Sequence, residues 1–358
     1  MTSTVLTVNT GSSSVKLALF EDGRVTKRAR LDLPARDVSA LLGEFSSARP
    51  DTVVHRVVHG GAHSSPALVD DALVGELERL SPLAPNHNPV ALSWIAGSRQ
   101  AWPDVPNVAV FDTSFFAGLP DAAATYALPR AFREKREIRR YGFHGLAHES
   151  MWRAYRALGR PESSRIVTLQ LGSGCSAAAI AGGRALDTSM GFTPLEGLVM
   201  GTRAGDLDPG LVLFLVRDWG LEAVEHALSK ESGLRGLSGQ SGDVRELDER
   251  GGAAAELALD VFVHRARKYV GAYLAVLEGA DAIVLGGGIA EHSAALRARV
   301  LSGFEYCGAR LDADVNARAS GEMARLHAAE SRVELYLARV DEERILLERA
   351  RGVVNEIR

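Results

Sequence analysis

Two stretches of this chain repeat one design, and the repeat restricts the fold more than any other feature. The first, residues 5–25, reads VLTVNTGSSSVKLALFEDGRV: a strand-like run (5–8), six small polar residues, a second strand-like run (15–20) and a turn at Asp22-Gly23. The second, residues 166–186, reads IVTLQLGSGCSAAAIAGGRAL and follows the same order. Gly11 and Gly23 are twelve apart; Gly172 and Gly183 are eleven apart. Both Gly/Ser turns are too long for a two-residue hairpin and leave consecutive backbone N–H groups with little side-chain cover. A backbone that must approach an anion closely needs such residues. Either stretch alone reads as an ordinary hairpin. Two in matching context, one early and one mid-chain, indicate a duplicated fold whose halves each present a phosphate-facing hairpin.

Length agrees, since 358 residues exceed what one compact core usually holds. With 46% hydrophobic and 24% charged residues the chain reads as globular and soluble. A net charge of -4 gives no signature of nucleic acid or an anionic membrane as partner. Two cysteines, Cys175 and Cys307, cannot form a disulfide framework and suit a reducing compartment. No basic-then-apolar leader and no bilayer-length apolar run is present, so a cytoplasmic enzyme is expected.

Along the chain, helices are expected at 38–45, 71–80, 89–102, 148–158, 211–219, 221–229, 253–277 and 294–302, with an amphipathic helix at 342–354. Buried strands are expected at 52–58 and 107–112, and DAIVLGGG (281–288) reads as a strand entering a glycine loop. LPRAFREKREIRRYGFHG reads as a basic connector.

Three stretches carry candidate chemistry. In VVHRVVHGG, Arg56 sits in an apolar strand, where a guanidinium is costly unless it meets a carboxylate or a phosphate. In VFDTS, Asp112 closes a buried strand, the edge of an α/β sheet where ligands usually bind. In MGFTPLEGLVMGTRAGDLDPG, Arg203 lies among glycines. Singly these fit an internal salt bridge, a helix cap and a solvated loop; together, set among glycine loops, they point to an anion site. His55, His59 and His63 recur at four-residue intervals, as do His144 and His148, which is helical metal spacing. The first set spans a strand and a Gly-Gly turn, where that spacing does not converge, so structural or phosphate-facing roles are expected rather than zinc. The chain contains no GxxxxGK[ST], which excludes a P-loop mechanism.

The motifs VNTGSSSVK, HRVVHGG, HNP, VFDTSF, RYGFHGLAHE, DTSMGFTPLEGLVMGTR and GGGIAEHS stand in the order found in the acetokinase (acyl-phosphate-forming kinase) family. The chain resembles that family over nearly its whole length; MGFTPLEGLVMGTR is long and specific, whereas GGG alone is weak. The resemblance implies an α/β fold of the duplicated, actin-like and sugar-kinase-like ATPase type, with two domains and a central cleft. An acid-binding domain would span 1–116 plus a returning helix at 345–358, and a nucleotide domain 117–344. It further implies reversible phosphoryl transfer between ATP and a short-chain carboxylate such as acetate, propionate or butyrate, and a homodimer. Neither nucleic acid nor membrane is implied as a partner.

By the same resemblance, Asn9 and Glu342 would hold Mg²⁺ (or Mn²⁺), with Ser12, Ser14 and Lys16 serving phosphates. Arg56 would hold the carboxylate or the transferring phosphoryl group and Arg203 would join it. Asp112 resembles the family's catalytic acid, and His144 would donate to phosphoryl oxygens in the transition state. Nucleotide contacts would come from Gln170, Leu171, Gly172, Ser173 and Gly174, from Asp243, Val244 and Arg245, and from Gly288, Ile289, Ala290, Glu291 and His292. The acyl pocket would be lined by Val58, Phe143 and Pro194, with Asn86. Because the acceptor is already a carboxylate, no base is needed, and Asp112 is better read as orienting Arg56 and the metal's water.

The chain departs from the family pattern at named places. Gln170 stands where His is usual, Ser173 where Asn is usual, and 288–292 read GIAEH rather than GIGEN. These changes bear on the phosphoryl donor. Asn86 replaces the usual Leu in APNHNP, and an amide in a methyl-sized apolar pocket is costly unless satisfied, which favours a polar acid. A catalytically silent nucleotide switch is the more distant alternative; the presence of Arg56, Asp112, His144, Arg203 and Glu342 argues against it.

Overall fold

The computed structural model describes residues 4–11, 14–32, 38–45 and 49–357. The chain divides into two compact units: Met1–Ala117 with Phe143–Leu146 and Asp341–Arg358, and Gly118–Gly142 with Ala147–Val340. Each is built on one six-stranded sheet.

In the first unit, β1 (Thr4–Thr10), β2 (Ser14–Glu21) and β3 (Arg24–Asp32) form an antiparallel meander; β4 (Thr52–Val57) and β6 (Asn107–Phe111) add parallel to β1, and the short β5 (Ala67–Leu68) caps β6. The spatial order is β3-β2-β1-β4-β6-β5. In the second unit, β7 (Arg165–Leu171), β8 (Cys175–Ala181) and β9 (Arg184–Thr188) repeat the meander, and β10 (Ala282–Gly286), β11 (Met323–Arg325) and β12 (Glu334–Ala338) complete the sheet. Read from the meander edge, its order is β9-β8-β7-β10-β12-β11, the same path strand for strand.

The duplication extends to local detail. Both second strands carry an irregularity, at Leu19/Phe20 and at Ala179/Ile180, just before the tight turn into the third strand. Both turns place two successive residues at positive φ, Asp22 (48°) and Gly23 (78°) in one, Gly182 (57°) and Gly183 (77°) in the other. That is the hairpin geometry whose twist matches flanking strands.

β4 and β6 are buried along their whole length, as strands covered on both faces must be. Helix Glu342–Ile357 covers one face of the first sheet, packing Ile345, Leu346, Leu347, Ala350 and Val354 against Val5, Ala18, Val54 and Val108. In the second unit, helix Ala253–Val276 buries Ala255, Ala258, Leu259, Phe262, Ala266, Val270 and Tyr273, a three-and-four spacing that defines one face. No helix among the described residues is long and apolar enough to cross a membrane.

Some bounds differ from expectation. The helix expected at 148–158 runs Gly145–Ala157. The one expected at 221–229 is Leu221–His226 followed by a π turn, Ala227–Glu231. The basic connector contains a helix, Arg130–Arg136.

Candidate active site

In the first unit, three neighbouring strands end side by side. β1 pairs with β4 so that Val8 meets His55, which sets Asn9 beside Arg56; β4 pairs with β6 so that Val57 meets Phe111, and Asp112 follows at once in the turn Asp112–Phe116. These are the carboxyl ends of parallel strands, where α/β sheets place ligands.

Arg56 is 7% exposed and forked onto Asp112, which is 0% exposed. Nε donates to both carboxylate oxygens at 3.2 Å and Nη2 to Oδ2 at 2.7 Å. Two acceptor oxygens facing two N–H groups is the carboxylate form, bidentate and charge-assisted. The remaining guanidinium nitrogen, Nη1, donates to Asn9 Oδ1 at 3.0 Å and to Glu342 Oε2 at 3.3 Å. Asn9 in turn donates from Nδ2 to Glu342 and to Glu343, both at 2.9 Å. Both glutamates open the last helix, a position that favours negative charge.

The electrostatics follow from that geometry. Burial alone would pull Arg56 down, but Asp112 and Glu342 more than offset it, so its pKa lies above the ordinary arginine value. Burial pushes Glu342 up, yet Arg56, Lys16, Asn9 and His144 outweigh burial and hold it below the usual glutamate value. For Asp112 burial wins over the pull of Arg56, and its pKa sits above the ordinary carboxylate value. Lys16 faces this cluster across the β1–β2 ladder, directly opposite Asn9.

His144 belongs to the same unit and adopts φ 59°, a left-handed conformation that costs a non-glycine residue about 1–3 kcal/mol. Its backbone N–H donates to Asp112. At Gly145 a Cβ would lie 2.0 Å from the Asp112 carbonyl oxygen, so only glycine permits the approach. The backbone around His144 is thus seated on the residue that holds Arg56. Alongside, Val58 and Phe143 are buried, and the Phe143 ring meets His59 edge-on at 5.5 Å. Asn88 clasps His59 through its backbone N and O, both at 3.0 Å, and half-buried Asn86 stands two residues before it in the chain.

The second unit gathers glycine loops. The β7–β8 turn is closed by Gly172 N–H donating to Gly174 O at 3.2 Å, and Ser173 O accepts from Gly201 N–H at 3.0 Å. Gly201 and Gly242 are so close that a Cβ at Gly242 would stand 2.6 Å from Gly201 O. Beyond Gly242, Asp243 caps the helix Val244–Arg250, accepting from Arg245 N–H at 2.9 Å, and its carboxylate also receives Arg245 Nη2 at 2.7 Å. Gly287, at φ 88°, presses the 288–292 turn onto Leu171 O, 2.5 Å from where its Cβ would be. Gln170 lies between these loops, its amide nitrogen near Gly172 and Gly287 and its buried Oε1 without a hydrogen bond.

Arg203 is 9% exposed and differs sharply from Arg56. It donates from Nη1 to Pro194 O at 3.2 Å and meets Met200 Sδ at 3.8 Å; no carboxylate pairs with it among the described residues. Burial therefore holds its pKa below the ordinary arginine value, with a partial counterpull from Cys175. Cys175 itself is fully buried, and its thiol is pushed up to about 12, which removes it as a nucleophile.

The expected residues thus fall into two sets. Asn9, Arg56, Val58, Asn86, Asp112, Phe143, His144 and Glu342, with Ser14 and Lys16, lie in the first unit. Gln170 to Gly174, Pro194, Arg203, Asp243 to Arg245 and Gly288 to His292 lie in the second. Ser12 lies outside the described residues. Glu343 was not singled out from sequence; the doubled acid of VDEER, at a helix start, is the signal that marks it.

A strand path duplicated in this way, with a leading antiparallel hairpin in each copy, is that of the actin-like ATPases. Comparison with known proteins gives the particular group. Residues 38–348 match the model of the acetokinase family. An acetate kinase of Clavibacter michiganensis subsp. michiganensis is 43% identical over 381 aligned positions, covering 95% of this chain and 96% of that protein. The crystal structure of Porphyromonas gingivalis acetate kinase superposes with a TM-score of 0.88 at 34% identity, covering 98% of this chain and 100% of that one. A propionate kinase from Francisella tularensis gives 0.87 at 31% identity, covering 97% and 98%. The chain belongs to the acetokinase family, and it is a kinase that transfers phosphate to a carboxylate.

Proposed function

We propose that this chain catalyses reversible, direct in-line transfer of the γ-phosphoryl group of ATP to acetate or propionate, with the residues above in the following roles. The observation that carries the assignment is the bidentate Arg56–Asp112 pair tied through Asn9 to Glu342. Phosphoryl transfer needs alignment and neutralisation of the equatorial oxygens more than covalent help. Arg56, fixed by Asp112, offers a pre-oriented guanidinium to the acid or the migrating phosphoryl group. Arg203, short of negative charge, is suited to take a phosphate oxygen. His144, held by its backbone, is suited to donate to phosphoryl oxygens. Asp112 orients Arg56; it abstracts no proton, because the acceptor is already ionised. The loops at Gly172–Gly174, Asp243–Arg245 and Gly288–His292 receive the nucleotide.

The first unit's donor set fits Mg²⁺. Three carboxylates, Asp112, Glu342 and Glu343, face one buried guanidinium, and all their donor atoms are hard oxygens. Among the described residues no group of three or more His, Cys, Asp or Glu is arranged to hold a metal unaided. Mg²⁺ is ordinarily bound through one or two carboxylates plus water and substrate phosphate. Asn9 and Glu342 would hold it, and when bound it would neutralise phosphate charge.

A homodimer is supported by the helix Pro209–Trp219, which buries none of its residues and leaves Leu213, Phe214 and Trp219 more than half exposed. The free thiols of Cys175 and Cys307 suit the reducing cytoplasm. The test is hydroxylamine trapping of acyl phosphate with acetate, propionate and butyrate, each with ATP, GTP or pyrophosphate. ATP-dependent acyl hydroxamate from acetate or propionate is expected; none from any acid would overturn the proposal.

A further inference from the structure

Arg297, on the helix Ala294–Leu301, is 2% exposed, and its hydrogen-bond partners include no acid. A guanidinium buried so deeply ordinarily meets a carboxylate. Here Nη1 donates to Ala290 O at 2.6 Å and Glu291 O at 3.4 Å, Nη2 to Asn316 O at 2.6 Å, and Nε to Asn316 Oδ1 at 2.8 Å. Asn316, itself 3% exposed, turns its amide to Ala294 O at 2.8 Å. Every acceptor is a neutral oxygen, and two belong to the short turn Gly288–His292.

Late carbonyls of a helical turn lack internal partners, and the Arg297 fork supplies two of them. The turn is therefore held from both ends. Gly287 seats its front on Leu171 O, at the end of β7, and Arg297 with Asn316 ties down its rear. A buried, uncompensated cation behind a loop also favours an anion in front of it, since a low dielectric screens the charge poorly.

We propose that Arg297 is a positioning residue for the nucleotide: it fixes the Gly288–His292 turn and supplies positive potential that the polyphosphate satisfies. This rests on the assignment of that turn to nucleotide binding. It acts through the loop and touches neither the acid nor the transferring group.

The test uses the full chain with Arg297→Lys, which keeps the charge and loses the fork, and Arg297→Met, which loses both. Steady-state KM for ATP and for acetate, kcat, and the Tm shift caused by ADP are measured for each. Arg297→Lys is expected to raise the ATP KM roughly ten-fold, the size of one lost charge-assisted hydrogen bond. The acetate KM and kcat should stay within about two-fold, the span left when the acid site is untouched. The ADP-induced Tm shift should shrink in parallel, and Arg297→Met should exceed Arg297→Lys. Should Arg297→Met fail to fold, the lysine variant decides. Equal changes in both KM values, or a lower unliganded Tm with ATP KM unchanged, would overturn the proposal. Wild-type protein that neither turns over ATP nor shifts in Tm with ADP would instead sink the nucleotide assignment, and this proposal with it.

Discussion

Replacing Arg56 by alanine separates the chemistry of the first unit from its stability. The change deletes the fork onto Asp112 and the bonds to Asn9 and Glu342. It leaves Asp112, Glu342 and Glu343 buried together without the guanidinium. Removing one partner of a buried ion pair costs about 3–5 kcal/mol. Asn9 still donates to both glutamates, so the lower end of that range is expected. The rate should fall ~10²–10³-fold, the usual cost of one electrostatic donor.

The pH dependence gives the sharper sign. In the wild type Glu342 is held below its ordinary value, so its stabilising share is present above the unfolded carboxylate pKa and is lost as pH falls through the folded one. Without Arg56, burial is the leading influence on both Glu342 and Asp112, and it raises both. A raised carboxylate destabilises the fold above its folded pKa, and that penalty fades on acidification. The stability gap between wild type and Arg56→Ala should therefore be widest at neutral pH and narrow toward acid. Urea unfolding across that range, beside acyl hydroxamate assays, measures both effects. Parallel pH–stability curves, or activity within ten-fold of wild type, would refute the reasoning.

Three further outcomes are expected. Arg203→Ala should lower turnover at least ~10²-fold while leaving Tm near wild type, because no ion pair is lost; a large Tm loss would make Arg203 a structural residue. Asn86→Leu should raise kcat/KM for acetate or propionate and lower it for any hydroxy- or keto-acid the native enzyme accepts, the amide otherwise costing ~1–3 kcal/mol; an unchanged ranking of acids removes Asn86 from selectivity. Fully buried His55 donates from Nε2 to Asn107 at 2.7 Å, has no partner for Nδ1, and is held by burial at about 4 instead of 6.5. Its stabilising share is intact above the unfolded value and fades as pH falls toward the folded one, roughly 3 kcal/mol in all, so His55→Gln should flatten that acid limb in urea titrations.

The parts of the fold and site that were legible in the sequence are those whose cause is local. The two hairpins stand out because Gly and Ser interrupt apolar runs, and Arg56 because its strand neighbours are apolar. What stayed hidden depends on distant partners. The helix expected at 148 begins at Gly145, where the chain passes against the Asp112 carbonyl, a close approach that nothing local in the sequence announces. β12 (ELYLA) is only five residues long, and its role follows from pairing with β10. The stretch expected as a basic connector is tied down: its Arg140 donates to Glu196 at 2.6 Å, and Tyr126, just before it, hydrogen-bonds the same carboxylate. Those partners lie 56 and 70 residues away. Arg297 and Glu343 escaped for the same reason.

The duplicated fold has diverged in charge more than in path. The strand order of the two sheets is the same, and both hairpins turn through matching positive-φ pairs. In the first unit the residue at the end of the leading strand, Asn9, donates to two glutamates, and carboxylates outnumber the buried guanidinium. In the second unit a loop holds Arg203 and the helix Ala294–Leu301 holds Arg297, both buried and neither paired with an acid among the described residues. One copy therefore offers a cluster of hard oxygen donors, which suits a divalent cation, and the other two buried guanidinium groups without an acid partner, which suit polyphosphate. On the assignment proposed above, metal and acid fall to the first copy and nucleotide to the second, so the difference in charge becomes a testable division of labour. The charge-altering variants test this directly. Arg56→Ala should leave ADP-induced stabilisation of the second unit intact while lowering turnover ~10²–10³-fold, and Arg297→Lys should do the reverse, weakening nucleotide binding while sparing kcat. If both variants lost nucleotide binding and turnover in equal measure, the division of labour between the copies would be wrong.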